Sequence, residues 1–206
     1  MDDDASTGDG PTEPYGNAPI PEKGDPSEDV VYAAVGYALS IWEAMEAELC
    51  WLYGALIDVP RYAPEAVIGY SQKPTLQGRL DQVLAAVEAR AKKKPDHPLE
   101  CDVHQLIKEV QKSAQSRNKI AHAIVVLLRQ NFRSGLPGAM INLPFDQEYC
   151  LVPAYYNHRY VDPNLRPNYI YLSRDIRKIG GGFKDLQRNA HRLILNRFPQ
   201  QPLRDA

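Results

Sequence analysis

Arg117, Asn118 and His122 stand close together in the stretch SRNKIAH, residues 116–122, inside a segment that is otherwise apolar. Histidine, with an ordinary pKa of about 6.5, can accept or donate a proton at neutral pH. A guanidinium binds phosphate oxygens in bidentate fashion and offsets negative charge that builds on them. Together they suit attack of a ribose 2′-hydroxyl on the adjacent phosphate. That step needs a proton acceptor, gains from a proton donor, and loads charge onto the phosphate oxygens. Neither role needs a metal. The sequence has no CxxC or Cys/His cluster of zinc-site spacing, so no metal and no other cofactor is expected.

The elements that must position these residues read as helices. Ser27, Glu28 and Asp29 form a helix start, with a capping hydroxyl followed by acids at the positive end of the dipole. Val31, Val35, Ala38, Trp42, Met45, Leu49, Leu52 and Leu56 then recur at steps of three and four, giving one apolar stripe that stops near Val59-Pro60. A second helical region spans roughly 62–93, broken or kinked at Pro74 and closed by AKKKPDHP. The third helix is predicted over about 99–130, with Val103, Ile107, Val110, Ala114, Arg117, Ala121, Ile124 and Leu128 on its stripe. Arg117 thus fills a core-facing slot, and an unpaired buried guanidinium costs several kcal/mol. It must be paired, or line a cleft or an interface. Glu43, Glu46 and Glu48 are its candidate partners. Glu46 is the preferred one, in line with Leu39 and Tyr53 beside the stripe; Glu43 and Glu48 read as solvated.

On an ideal helix Arg117 and His122 lie roughly 140° apart around the axis and about 7.5 Å apart along it, whereas Asn118 and His122 share a face. A groove that both sides reach is needed, and a second copy of the helix packed across a twofold axis would provide one.

Residues 131–148 read as a loop. YCLVPAYY and NYIYLS, flanking the turn NHRYVDPNLRPN, read as a β-hairpin or a pair of short strands. Ser173 and Asp175 open a last helix whose stripe runs from Ile176 to Leu193 through Gly180–Gly182, where a close helix contact and a break both fit. The expected fold is an all-α helical bundle of four to five helices with a small β-hairpin insert before the last helix. The expected layout is a disordered acidic tail over 1–27, a helical domain over 28–198 with its β insert at about 149–172, and a tail over 199–206.

Composition narrows the function classes. Residues 1–29 hold nine acids and one base, a net of −8, so the remainder carries +6 within the overall −2. A basic body can hold a polyanion. Cys50, Cys101 and Cys150 are far apart and odd in number, against a disulfide framework and for a reducing compartment. The N-terminus has no apolar core of a signal peptide, and no apolar run is long enough to span a bilayer. A cytoplasmic protein with no membrane role is expected. His104, His158 and His191 have no evident catalytic partner, and packing explains the tyrosines of 149–171 better than base stacking does.

The stretch RNKIAH matches the R-x4-H signature of the HEPN superfamily, in its form with a polar residue after the arginine. Its position late in the chain, the opening helix with WEAMEAEL, and the hairpin before a terminal helix also resemble bacterial stand-alone members. The resemblance spans roughly 28–198. It implies a HEPN-like bundle, a homodimer through the motif helix, and metal-independent endoribonuclease activity leaving 2′,3′-cyclic phosphate ends. Arg117 and His122 would be catalytic, and Asn118 would orient or contact the phosphate; Glu46, from its place beside the stripe of the first helix and not from the resemblance, is the supporting candidate that could hold the guanidinium or tune His122. The resemblance further implies a toxin or anti-phage role, with an antitoxin as partner. Two alternatives stand beside it. One is a non-catalytic HEPN-like dimeric module that binds a partner protein, nucleotide or RNA. The other is a nucleic-acid-binding regulator without chemistry.

Overall fold

The computed structural model describes residues 21–60, 63–128, 148–154, 161 and 167–198. The acidic residues before 21, most of the 131–148 loop and the turn carrying Arg159 and Arg166 lie outside them. Among the described residues the order is α1 (Glu28–Leu56), α2 (Pro64–Ser71), α3 (Leu76–Lys93), α4 (His97–Ala121), β1 (Ala123–Leu127), β2 (Tyr149–Pro153) and α5 (Ser173–Arg197). This is the expected helical bundle with a two-stranded antiparallel hairpin before the last helix.

The chain divides into two compact units. The helical unit comprises Ala34–Ala121 and Asp175–Ala206. Trp42, Met45, Leu49, Leu52, Leu80, Val83, Val103, Ile107 and Phe183 are buried in it, as their stripes require. The Trp42 and Phe183 rings meet edge to face with centroids 5.0 Å apart. The end of α1 is set by its backbone. Asp58 adopts a left-handed φ of 60°. The amide of Val59 then donates to the Gly54 carbonyl (3.1 Å) and that of Asp58 to Ala55 (3.3 Å), a Schellman closure. The Thr75 hydroxyl starts α3 by accepting from the Gly78 amide, 3.1 Å. Asp96 does the same for α4, accepting from Leu99 at 3.1 Å.

Gly180–Gly182 does not break α5. A Cβ at Gly180 would lie 2.9 Å from the Tyr37 ring and 3.2 Å from the Ala38 Cα, so a close approach of α1 and α5 accounts for this glycine. Gly181 and Gly182 face nothing within 4 Å.

The hairpin unit comprises Met1–Ala33 and His122–Arg174. Here the expected third helix is corrected. It ends at Ala121, not near 130, and the chain enters β1 at once. Ile124, Val125 and Val126 are β-branched and prefer the extended backbone once a partner strand is present. That partner is β2, in the register Ala123↔Pro153 to Leu127↔Tyr149. Among the described residues the expected pairing of YCLVP with NYIYLS is one bridge, between Leu151 and Tyr171. Leu128, Cys150, Val152 and Leu172 form the small core of this unit. Asp25 ties the N-terminal segment down. Its backbone pairs with Tyr149 in both directions at 2.8 Å, and its carboxylate accepts from the Ser173 amide and hydroxyl, both 2.6 Å.

Candidate functional site

Arg117 lies in the last turns of α4, on the row that buries Val103 and Val110, and its side chain keeps 31% exposure. Its Nη2 is 3.8 Å from Glu43 Oε1, on a carboxylate that is 67% exposed. Its Nη1 donates to the Asn118 amide oxygen at 3.3 Å. Its Nε–H is buried and has no hydrogen-bond partner among the described residues. Leaving a buried donor unmet costs about 1–3 kcal/mol. The exposed, distant Glu43 returns little of that. The Nε and Nη2 hydrogens form one edge of the guanidinium, and that edge holds only the weak Glu43 contact. That is the edge by which a guanidinium takes two phosphate oxygens, and in the chain as it stands its Nε is closed to solvent.

Glu46, expected beside Arg117, is engaged elsewhere. It accepts from Arg79 Nη2 at 2.5 Å and from the Trp42 indole N–H at 2.7 Å. The Arg79 guanidinium also lies 5.9 Å from the centre of the Tyr70 ring. Burial, and then the Glu46 carboxylate, push the Tyr70 hydroxyl well above its ordinary range. This is a structural network joining α1, α2 and α3. Glu48, read as solvated, is buried, and its carboxylate is 3.3 Å from His191 Nδ1. The signal was in the sequence: Glu48 is three residues after Met45 and four before Leu52, on the core face.

Asn118 is exposed on α4 and His122 is exposed in the turn that follows it, so the two do not share a helix face as the longer helix implied. The His122 carbonyl accepts weakly from the Ala154 amide (3.5 Å), continuing the β1–β2 ladder by one residue. Four intervening residues keep the Cα atoms of Arg117 and His122 within about 18 Å. Arg117 and Asn118 belong to the helical unit, and His122 opens the hairpin unit.

Sequence reasoning missed the hollows between α4 and α5. One, of about 470 Å³, is lined by Asp102, Glu109, Asn189, Arg192 and Arg197 among others. The next, of about 420 Å³, shares Glu109 and Asn189 and reaches Ser116 and Gly182. Arg197 Nη2 holds Asp102 Oδ2 at 2.8 Å, which raises the already high pKa of the guanidinium. The two helices therefore run antiparallel, and the trough ends one residue short of Arg117. Among the described residues no group of three or more His, Cys, Asp or Glu side chains is arranged to hold a metal ion, and no helix is long and apolar enough to cross a membrane.

Comparison with known proteins gave no match to a family model, a curated protein or a solved structure.

Proposed function

We propose that this chain is a metal-independent endoribonuclease of HEPN type. It cuts RNA by attack of a 2′-hydroxyl on the adjacent phosphate and leaves a 2′,3′-cyclic end. The observation that carries the reading is the guanidinium of Arg117: half-buried, weakly paired, with a buried Nε–H that a phosphate oxygen would satisfy. Arg117 binds the phosphate and offsets the charge of the pentacoordinate state. His122, exposed in the turn after α4, takes the 2′-hydroxyl proton, and a proton passes to the 5′-oxygen as the P–O5′ bond breaks. Asn118 holds one Nη of Arg117 and leaves its own amide hydrogens for a phosphate oxygen. A second copy of the chain, brought up along α4, completes the groove. Action as a toxin or defence effector, restrained by an antitoxin, follows the same resemblance to HEPN proteins.

One observation favours a second reading, the non-catalytic module that binds a protein, nucleotide or RNA. With α4 ending at Ala121, Asn118 and His122 are not stacked on one helical face.

The deciding experiment is incubation of total RNA and tRNA with the purified protein in EDTA, beside His122→Ala and Arg117→Ala. Cyclic-phosphate ends made by wild type and lost in both folded variants uphold the ribonuclease. Inert wild type, or variants that cut equally well, turn the assignment to the binding module.

A further inference from the structure

Beyond the reacting groups, α5 carries an unusual charge pattern. It holds seven basic and two acidic residues, a net of +5. At 100° per residue Arg177, Lys184, Arg188 and Arg192 fall within roughly 80° of one another and extend about 22 Å along the axis. All four are exposed. Gly181 occupies the gap in the row, with open space where its Cβ would be. The opposite face, with Ile176, Phe183 and Ala190, is buried in the helical unit.

Two of the acids nearby are paired with arginines of α5, and the third, Glu109, keeps its charge at the trough. Asp185 is 3.5 Å from Arg188 Nη1. Asp102 is held by Arg197, and Glu109 accepts from Gln105 at 2.7 Å. Arg192 flanks the trough between α4 and α5, whose other end reaches Ser116, the residue before Arg117. A cationic row whose apolar face is committed to a core has nothing to insert into a lipid surface. It suits a linear polyanion laid along the helix.

We propose that the Arg177–Lys184–Arg188–Arg192 row of α5, with the trough it flanks, grips the phosphodiester backbone of a single RNA strand and leads it toward Arg117. The inference rests on the ribonuclease reading and names the surface that reading lacks. Contacts to phosphate carry no base information, so binding here is independent of sequence and falls with salt.

The test uses the full chain and a labelled 2′-O-methyl oligoribonucleotide, which has no 2′-hydroxyl to attack, followed by fluorescence anisotropy across a salt series. The triple change Lys184→Gln/Arg188→Gln/Arg192→Gln should weaken binding roughly tenfold or more and lower the log–log salt slope by about 2, at about 0.7 per phosphate contact. The charge-matched triple Lys92→Gln/Lys93→Gln/Lys94→Gln at the C-terminal end of α3 should leave the slope unchanged. Arg188→Lys/Arg192→Lys should keep it near wild type. Equal losses in both triples, an unaltered slope in the α5 triple, or preferential binding of phosphatidylserine vesicles overturns the proposal. Cleavage that depends on Arg117 with binding indifferent to α5 sinks this surface alone. Binding that depends on α5 without any cleavage sinks the ribonuclease and leaves an RNA-holding face.

Discussion

Two arginines of the helical unit make an instructive pair. Arg79 and Arg117 are both half-buried, and each leaves its Nε–H without a partner among the described residues. Arg79 is otherwise committed: a carboxylate at 2.5 Å, the Lys73 carbonyl at 3.4 Å and the Tyr70 ring. Arg117 has an amide oxygen on its own helix and a carboxylate at 3.8 Å. The first is a cation absorbed by the fold. The second is a cation the fold positions but does not use. Partial burial alone does not distinguish them; the strength and distance of the counter-charge does.

The comparison breaks most sharply in activity. Arg117→Ala and His122→Ala should each cut RNA cleavage by about 10²–10⁴-fold with little change in melting temperature, read by end-labelled tRNA cleavage beside thermal denaturation. Arg79→Ala showing an equal loss of activity at unchanged stability would erase the distinction.

Stability should show the inverse. Glu46→Ala strands Arg79 and the Trp42 indole N–H and should cost about 1–3 kcal/mol. Glu43→Ala, at an exposed and distant carboxylate, should stay within about 0.5 kcal/mol. Urea unfolding of the two variants measures both, and equal costs would mean that Arg117 is held as firmly as Arg79.

The glycines sharpen the same division between committed and open groups. Gly180→Ala should destabilise by about 1–3 kcal/mol through contact with Tyr37 and the Ala38 backbone. Gly181→Ala meets open space and should stabilise α5 by roughly 0.5–1 kcal/mol. Thermal scans with opposite signs are the expected result.

The smallest effect concerns the cysteines. Burial, and then Asp25, push the Cys150 thiol up to about 12 from an ordinary 9.0. The folded state therefore favours the neutral thiol. Its stabilisation is complete below the ordinary value and is lost as pH rises from 9.0 toward about 12. At pH 8 an aromatic disulfide reagent should label exposed Cys101 at once and Cys150 only after denaturation.

Much of this fold is legible in the sequence because a three-and-four spacing has a single physical meaning. Trp42, Met45, Leu49 and Leu52 announce the buried face of α1, and Pro74 falls in the break between α2 and α3. The end of α4 is not legible in that way. Ile124 and Leu128 extend the helical spacing, while Ile124-Val125-Val126 favours a strand. The arbiter is β2, more than twenty residues further along. Arg117 and its slot were readable from periodicity. Its partner was not: Glu43 and Glu46 both lie near enough along α1, and the choice was made by Trp42 and Arg79, which claim Glu46. The cationic row of α5 was present in the sequence at steps of seven, four and four, but it gains meaning only beside the trough that α4 supplies.

The contact at Gly180 acts as an indexing tooth for the last helix. Sliding α5 by one residue so that Ile179 entered the slot would drive a side chain into Tyr37 and Ala38, which bars a shift in that direction and holds the present axial setting. That setting fixes the phase of everything downstream, including which flank carries Lys184, Arg188 and Arg192. A one-residue insertion between Gly180 and Lys184 would turn the row by about 100° while the tooth stayed engaged. A seven-residue insertion, nearly two whole turns, would almost restore its heading. The glycine that looks like a weak point in α5 thus sets the angular timing of the helix.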